Sequence, residues 1–220
     1  MADYERGVLG PFNGLVGTVV GAVVNDTPTM RIRPKKSKKE PGQSQLDQRF
    51  IFALMMTLLK KAGEFIKLGI VPLGKKLSPM NTAMKINLDR AITGVSPDFK
   101  IDYSKIVLST MKDLDFVKYG PLVAVAGGRI TVAWDTNYGE YLKPQEKLIR
   151  DTDTARIFFY SETAGSSLKA GYTAARSTGS VSIRVPFDEG DKVHVWCFFV
   201  STDEQVHSAS KYLGSVIVLE

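Results

Sequence analysis

Short segments in which apolar and polar residues alternate fill the second half of the chain, and this pattern restricts the possible folds most strongly. After Pro97 these segments follow one another without a helical pattern between them, and Gly, Asp, Asn or Ser turns separate most of them. Alternation with a period of two is typical of strands that bury one face. Short turns between strands favour antiparallel pairing. The predicted strands are residues 105–109, 114–117, 129–135, 155–161, 170–175, 180–186, 192–201 and 211–219.

The same alternation predicts which side chains face the core. Ile130, Val132 and Trp134 share one face of their strand, and Trp134 is expected to anchor the core. Seven or eight short strands without helices between them favour an immunoglobulin-like or fibronectin-like antiparallel sandwich over residues 99–220. The other residues predicted to face inward are Ile157, Phe159, Val193, Val195, Cys197 and Phe199.

Residues 7–33 are punctuated by glycines, with short and mostly β-branched pieces between them. Because residues 25–28 have turn chemistry, this stretch predicts a β-ribbon of two strands. The ribbon is expected to end at Pro34, which has no N–H to donate to a ladder. Each glycine weakens a strand, so the glycines are interpreted as places where another chain segment approaches the backbone closely.

A helical pattern follows the ribbon. Between residues 44 and 68 apolar residues recur at spacings of three and four, and the middle of this helix is apolar nearly all round. We therefore expect it to be buried on more than one side. A second helix is predicted over residues 79–92, with Ser78 as its N-cap and Gly94 as its terminator. The chain is thus expected to be α+β and mostly β, with the ribbon, a basic arm and two helices in residues 1–98 and the sandwich in residues 99–220.

Positive charge is concentrated in residues 31–39. The six cations there equal the formal net charge of +6, so the rest of the chain is neutral. Such a run attracts phosphate or an acidic protein face, although most charge runs are solvated arms. No aromatic residue is interleaved, so stacking on bases is not indicated. The residues predicted to contact nucleic acid or an acidic partner are Arg31, Arg33, Lys35, Lys36, Lys38 and Lys39.

Few residues suit catalysis or metal binding. Cys197 is the single cysteine, so it forms no internal disulfide, and with two distant histidines it forms no structural zinc site. His194 and His207 lack a neighbouring pattern typical of a catalytic triad. Residues 69–75 match the G-x-x-x-x-G-K skeleton of a phosphate loop, but they follow a helix, and Lys76 stands where Ser or Thr is required. We therefore predict no catalytic, cofactor-binding or metal-binding residue, and no cofactor.

The compartment follows from the apolar runs. The N-terminal residues do not form the cationic start of a secretory signal, and the longest apolar run, residues 50–59, is about half a membrane span. We expect a chain without a membrane span that is made in the cytoplasm and can be incorporated in a particle. Its 220 residues are sufficient for a core without disulfides or metals.

Three motifs occur in a characteristic order: GPFNGLVGTVVG at residues 10–21, the basic residues 31–34, and QLDQRF at residues 45–50. In this order, and in the ending SKYLG at residues 210–214, the chain resembles an uncharacterised family, a domain of unknown function common in Bacteroidota. It departs from that family at Val23-Val24, where the family often has a tryptophan. The resemblance implies a similar architecture and carries over no activity.

Two functions fit these observations. Sandwiches without a convergent polar site typically bind proteins through loops or strand faces. The first function is therefore a non-catalytic structural or interaction protein in a multi-subunit assembly, such as a virion or a phage-derived particle. Protein partners, or further copies of the chain, would pack against the glycine-rich arm. The alternative is a nucleic-acid-associated protein that holds the phosphate backbone non-specifically through residues 31–39. An enzyme is not expected.

Overall fold

The structure is a computed structural model that describes residues 2–3, 12–24, 26–35, 39–74, 77–110, 118–136, 151–168, 172–204 and 206–220. Contacts group the chain into two compact units, residues 1–45 and residues 46–220. The helices thus belong to the same contact unit as the later strands. The predicted division into domains of residues 1–98 and 99–220 stays a prediction. The α+β class with mostly antiparallel strands is confirmed.

The first unit contains an antiparallel sheet. Its strands are β1 (Ala2–Asp3), β2 (Gly14–Val16), β3 (Val19–Val24) and β4 (Thr27–Ile32), in the order β1-β4-β3-β2. The predicted two-strand ribbon is confirmed as the β3–β4 hairpin, with a tighter turn than expected, because Pro28 already pairs with Val23. The prediction is wrong in the number of strands, since a further turn at Gly17-Thr18 separates β2 from β3 and β1 pairs with β4. The sheet ends at Ile32, before Pro34, as predicted.

At Gly21 another segment of the chain, around Phe12, lies very close to the backbone. A Cβ atom at this position would lie 2.4 Å from the carbonyl oxygen of Phe12 and 2.6 Å from its ring. The next residue, Asn13, accepts a hydrogen bond from the backbone N–H of Val23 at 2.9 Å through its Oδ1 atom. The prediction that a glycine permits a chain crossing is therefore confirmed at Gly21.

The described residues of this sheet contribute little to a buried core. Among the described residues between 12 and 45, Gly21 alone is buried. Small sheets are marginally stable in water unless a face is covered. The exposed apolar side chains are Leu15, Val16, Val23, Val24 and Ile32.

The second unit carries the helices. They are α1 (Gln43–Lys61), which begins at the end of the first unit, α2 (Gly63–Gly69) and α3 (Pro79–Ala91). The single helix predicted over residues 44–68 is wrong in one respect, because a break at Ala62 divides it in front of Gly63, a poor helix former. The predicted N-cap of α3 is confirmed, since Ser78 Oγ accepts a hydrogen bond from the backbone N–H of Asn81 at 3.2 Å.

Three antiparallel sheets follow α3 in the described part of the chain. The first pairs β5 (Ile92–Thr93) with β6 (Lys100–Ile101). The second, here the outer sheet, contains β7 (Val123–Val125), β8 (Arg129–Ala133) and β12 (Ser180–Arg184). The third, here the central sheet, contains β9 (Thr154–Ser161), β10 (Ser166–Ser167), β11 (Tyr172–Ala175), β13 (Lys192–Val200) and β14 (Lys211–Ile217). The strand orders are β12-β8-β7 and β10-β9-β13-β14, with β11 also paired to β9.

Six of the eight predicted strands are confirmed to within three residues at each end, as β8, β9, β11, β12, β13 and β14. The strand predicted over residues 114–117 lies outside the described residues. The strand predicted over residues 105–109 is wrong, because a 3₁₀ turn (Tyr103–Lys105) begins this segment and no ladder follows it.

Side chains replace the ladder in residues 106–110. The amide of Asn87, buried in α3, donates to the carbonyl oxygen of Val107 at 2.9 Å and accepts from its N–H at 2.7 Å. Ser210 Oγ accepts from the N–H of Leu108 at 2.9 Å. The backbone groups of Val107 and Leu108 thus bond to side chains rather than to a neighbouring strand. Further along, the N–H of Thr110 donates to the carbonyl oxygen of Gly69 at 3.0 Å, and the carbonyl oxygen of Ser109 accepts from the N–H of Ser210 at 3.3 Å.

The central sheet is buried on both faces. On one face Phe158, Trp196 and Phe198 pack against the helices, and Phe65 of α2 lies 5.1 Å from Phe158 between ring centroids. The opposite face packs against the outer sheet and carries the residues predicted to face inward, namely Ile157, Phe159, Val193, Val195, Cys197 and Phe199. Trp134 is buried on that side as predicted. The sequence analysis identified this face and missed the helix-covered one.

Cys197 provides a test of this packing. The side chain is fully buried, and burial raises the pKa of its thiol from 9.0 to about 12. At pH 8 the thiolate fraction is then about a thousandfold lower than that of an ordinary cysteine. We expect no measurable reaction with Ellman's reagent in buffer and one thiol per chain in guanidinium chloride. Stoichiometric labelling of the folded chain would contradict the packing.

Candidate functional site

The cations predicted as a contact site lie at one end of the first unit's sheet. Arg31 belongs to β4, and Arg33 and Lys35 follow it; all three are exposed, as is Lys39. The remaining two predicted residues, Lys36 and Lys38, lie outside the described residues. The structure therefore brings part of the predicted set together beside the sheet.

The sheet tip, defined as Val16, Gly17, Thr18, Val19 and Ile32, adjoins these cations. Strand register places Val16 opposite Val19 and Val19 opposite Ile32, so these side chains form one row on one face. Gly17 turns the chain with a φ of 59°. The N–H of Arg33 donates to the carbonyl oxygen of Thr18 at 2.8 Å, which fixes the start of the arm against the turn.

Apolar and positive groups are exposed together at this end. Ile32 is 77% exposed and Val16 is 57% exposed. A groove beside them is lined by Gly17, Thr18, Ile32, Arg33, Pro34 and Lys35. Among the described residues, no carboxylate forms an ion pair with Arg31, Arg33 or Lys35. The end of the sheet thus presents a positive field that no ion pair with a described carboxylate neutralises.

A second exposed apolar surface lies on the first half of α1. Leu46 and Phe50 are 43% and 50% exposed, while Met55, Leu58 and Leu59 on the other side of the helix are buried. We call Leu46 and Phe50 the α1 surface. Phe52, 47% exposed, lies on a different side of the helix, where it lines a groove with Gln48, Arg49, Ala53 and Met56. Contiguous exposed apolar groups can mark contact sites.

The sequence analysis missed a hydrogen-bonded cluster centred on His194, which is 3% exposed on the helix-covered face of the central sheet. Its Nδ1 atom lies 2.8 Å from Tyr212 Oη, and its Nε2 atom lies 3.1 Å from Glu162 Oε2. Because the carboxylate only accepts, the neutral ring donates from Nε2 to Glu162, and the Tyr212 hydroxyl donates to Nδ1. Glu162 also forms an ion pair with Lys192, whose Nζ atom lies 3.0 Å from Glu162 Oε2.

Aromatic rings enclose this cluster. Tyr103 stacks on His194 with centroids 4.0 Å apart, and Tyr160 lies 5.8 Å from Tyr103. Burial raises the pKa of Tyr103, of Tyr160 and of Tyr212 above the usual tyrosine value. These phenols therefore stay protonated at neutral pH, and Tyr212 is not an activated nucleophile despite its histidine neighbour.

The titration of His194 and Glu162 follows from the same contacts. Burial holds the pKa of His194 below 6.5, and the nearby Glu162 carboxylate offsets part of that shift. Hydrogen bonds from Lys192 and then from His194 lower the pKa of Glu162. A neutral imidazole covered by Tyr103 has little access to a substrate. The cluster is suited to holding the segment around Tyr103 on the sheet.

Distance along the chain hides this cluster from sequence reasoning. Glu162 follows β9, His194 lies in β13, Tyr212 lies in β14, and Tyr103 comes before all three strands. The sequence gives one indication of the cluster: alternation along β13 places His194 on the face opposite Val193. The sequence does not show what covers that face. His207 lies apart from the cluster, is 8% exposed, and has its pKa lowered by burial.

Within the described ranges, no group of three or more His, Cys, Asp or Glu side chains is placed to hold a metal ion. Among the same residues, none of the helices is both long and apolar enough to cross a membrane.

These features define an α+β protein whose central antiparallel sheet lies between helices and a second sheet. The chain belongs to a family of unknown function, DUF6266, whose sequence model matches residues 11–214. The resemblance to an uncharacterised family is thereby confirmed. A comparison with curated proteins finds no match.

The two histidines lead to a test of stability against pH. Burial lowers the pKa of both below 6.5, so the unfolded chain binds more protons just below that pH. Their contribution to the free energy of unfolding is complete above about pH 6.5 and is lost as the pH falls toward their folded pKa values. We expect urea unfolding to show stability that falls between about pH 7.5 and pH 5.5.

The control uses the histidine content of the chain. The sequence contains His194 and His207 and no other histidine. His194→Gln and His207→Gln should each reduce the slope of stability against pH, and the double variant should be nearly flat in this range. A double variant as steep as the natural chain would show that other groups are responsible.

Proposed function

We propose that the protein is a non-catalytic interaction protein, a component of a multi-subunit assembly that its own copies form. The α1 surface is the observation that carries this proposal. The sequence of this helix is apolar nearly all round, which is typical of a helix buried on more than one side. Within one chain, contacts bury Met55, Leu58 and Leu59, and the opposite surface is half exposed.

An apolar helix surface is complementary to itself. Two copies related by a two-fold axis would bring the same side chains together, so one surface serves both partners. Leu46 and Phe50 are four residues apart, which places them on the same side of the helix, one turn from each other. Aromatic residues such as Phe50 are enriched in the cores of such interfaces.

The finer architecture also belongs to this proposal. If β10 and β11 are one interrupted edge strand, the described residues from β7 onward form seven strands. The first, second and fifth then form the outer sheet, and the third, fourth, sixth and seventh form the central sheet. This order supports an immunoglobulin-like or fibronectin-like sandwich, a fold used widely for protein contacts. The expected virion or phage setting and the cytoplasmic site of synthesis stay predictions.

The assembly is tested by molecular mass in solution. We expect the full chain to form an oligomer in sedimentation equilibrium that persists at high salt, because apolar contact is little screened. Phe50→Ser combined with Leu46→Ser should weaken association by about tenfold or more, since a few well-buried side chains carry most of the binding energy of an interface. The matched control is Val206→Ser, which removes a side chain that is 49% exposed elsewhere. A chain that is monomeric at all concentrations would overturn the proposal.

A second candidate function is contact with an anionic partner through residues 31–39. The exposure of Arg31, Arg33 and Lys35, and their lack of ion pairs among the described residues, favours it. Nucleic acid is the partner class that the sequence analysis predicted. Non-specific binding of this kind is dominated by the release of counterions from phosphates.

Binding to random-sequence DNA and RNA in a salt series tests this candidate. Six phosphate contacts predict a log–log slope on the order of five. Replacing the six Lys and Arg of residues 31–39 by Gln should abolish the binding. The control replaces six exposed lysines elsewhere, namely Lys60, Lys67, Lys85, Lys100, Lys118 and Lys211. An equal loss of binding in both variants would indicate that overall charge attracts the nucleic acid. The basic arm would then have no specific part in the binding.

A further inference from the structure

We propose that the anionic partner of residues 31–39 is a phospholipid surface, into which the sheet tip inserts while the cations bind the headgroups. The inference rests on the second candidate function, contact of the arm with an anion, and names the class of that anion. It does not depend on the α1 surface, so assembly and lipid binding can fail separately.

The exposed apolar residues of the tip are the first argument. Ile32 and Val16 lie in the same row with Val19, and Ile32 is the more exposed at 77%. On the other face, register places Leu15, 51% exposed, in a row with Val20 and Arg31. Apolar side chains are therefore exposed on both faces at the same end of the sheet. Interfacial binding depends on apolar area of this kind.

The position of the cations is the second argument. Arg31 and Ile32 are adjacent in β4 and so point to opposite faces of the sheet. Arg33 and Lys35 line the groove beside the turn, next to Gly17 and Thr18. Positive charge thus surrounds the apolar end rather than covering a separate surface. Lys/Arg clusters of four to eight residues are typical of segments that bind anionic lipids.

Nucleic acid fits the same residues less well. The sheet tip contains no aromatic side chain that could stack on a base, and Ile32 stands between Arg31 and Arg33 along the chain. Against a phosphate backbone the apolar tip would stay in water or face charged groups. Against a bilayer the cations meet phosphates while Ile32 and Val16 reach the acyl region, so both kinds of exposed group find a partner.

Vesicle sedimentation of the full chain tests the inference. We expect weak binding to phosphatidylcholine alone and binding at least about tenfold tighter when about 30 mol % phosphatidylglycerol is present. Arg31→Gln, Arg33→Gln and Lys35→Gln together should remove most of that gain. The control for charge is the triple variant Lys67→Gln, Lys85→Gln and Lys100→Gln, which lowers the net charge equally at exposed positions.

The contribution of the apolar tip residues to vesicle binding is tested by separate variants. Ile32→Ser with Val16→Ser should weaken vesicle binding by about tenfold and leave nucleic-acid binding unchanged. Val95→Ser should change neither, although Val95 is as exposed as Ile32, at 77%. If the Ile32 and Val16 substitutions weaken nucleic-acid binding as well, the loss reflects damage to the sheet, and the insertion of the tip is rejected.

Insertion can be observed directly with a fluorescent label. Because Cys197 is fully buried, a thiol-reactive dye should label an introduced surface cysteine selectively. The dye NBD on Ile32→Cys should shift its emission to the blue on anionic vesicles, and the same dye on Val95→Cys should not. An equal emission shift of the dye at both positions, or no shift at either, would contradict insertion of the tip even if the protein sediments with vesicles.

The remaining outcomes also decide the inference. Nucleic-acid binding without vesicle binding would overturn it and support the predicted phosphate-backbone contact instead. Equal binding to neutral and anionic vesicles would overturn it as well, because the cations would then play no part. If the protein binds neither nucleic acid nor anionic vesicles, the second candidate function fails together with the inference. The assembly proposal is then unaffected.

Discussion

Burial of the central sheet on both faces is the constraint on which the second unit depends. The two long strands β9 and β13 carry large side chains on alternate faces, and neither face can be left in water. Helices cover Phe158, Trp196 and Phe198, and the outer sheet covers Phe159 and Phe199. The adjacent aromatic residues of these strands thus explain why helices and strands share one unit.

The exposed side of α1 follows from this arrangement. Met55, Leu58 and Leu59 belong to the core that also contains the helix-covered face of the central sheet, so the side of α1 with Leu46 and Phe50 is left exposed. In the described part of the first unit, Gly21 alone is buried, and apolar side chains are exposed beside the basic arm. The two surfaces therefore differ in chemistry: one is apolar and lies on a helix, and the other combines apolar and positive groups at the end of a small sheet.

The sequence was sufficient for the class of fold because alternation directly reports which side chains share a face, as for Ile130, Val132 and Trp134. It was insufficient for residues 105–109, since only the folded chain shows that Asn87 and Ser210 replace a neighbouring strand. The cations of the basic arm were identified from charge alone. Their position beside Val16 required the register of β2, β3 and β4, and the cluster around His194 required the pairing of distant strands, which local patterns do not specify.

The buried amide of Asn87 has a consequence for how the molecule comes apart. One side chain of α3 satisfies both backbone groups of Val107, and Ser109 and Ser210 connect the same segment to the residues before β14. Separating the helices from the sheet would expose these groups unpaired, together with Trp196 and its neighbours. The helical and β layers should therefore lose structure in a single cooperative step, and a proteolytic fragment that begins at residue 99 should aggregate, because one face of its central sheet would be uncovered.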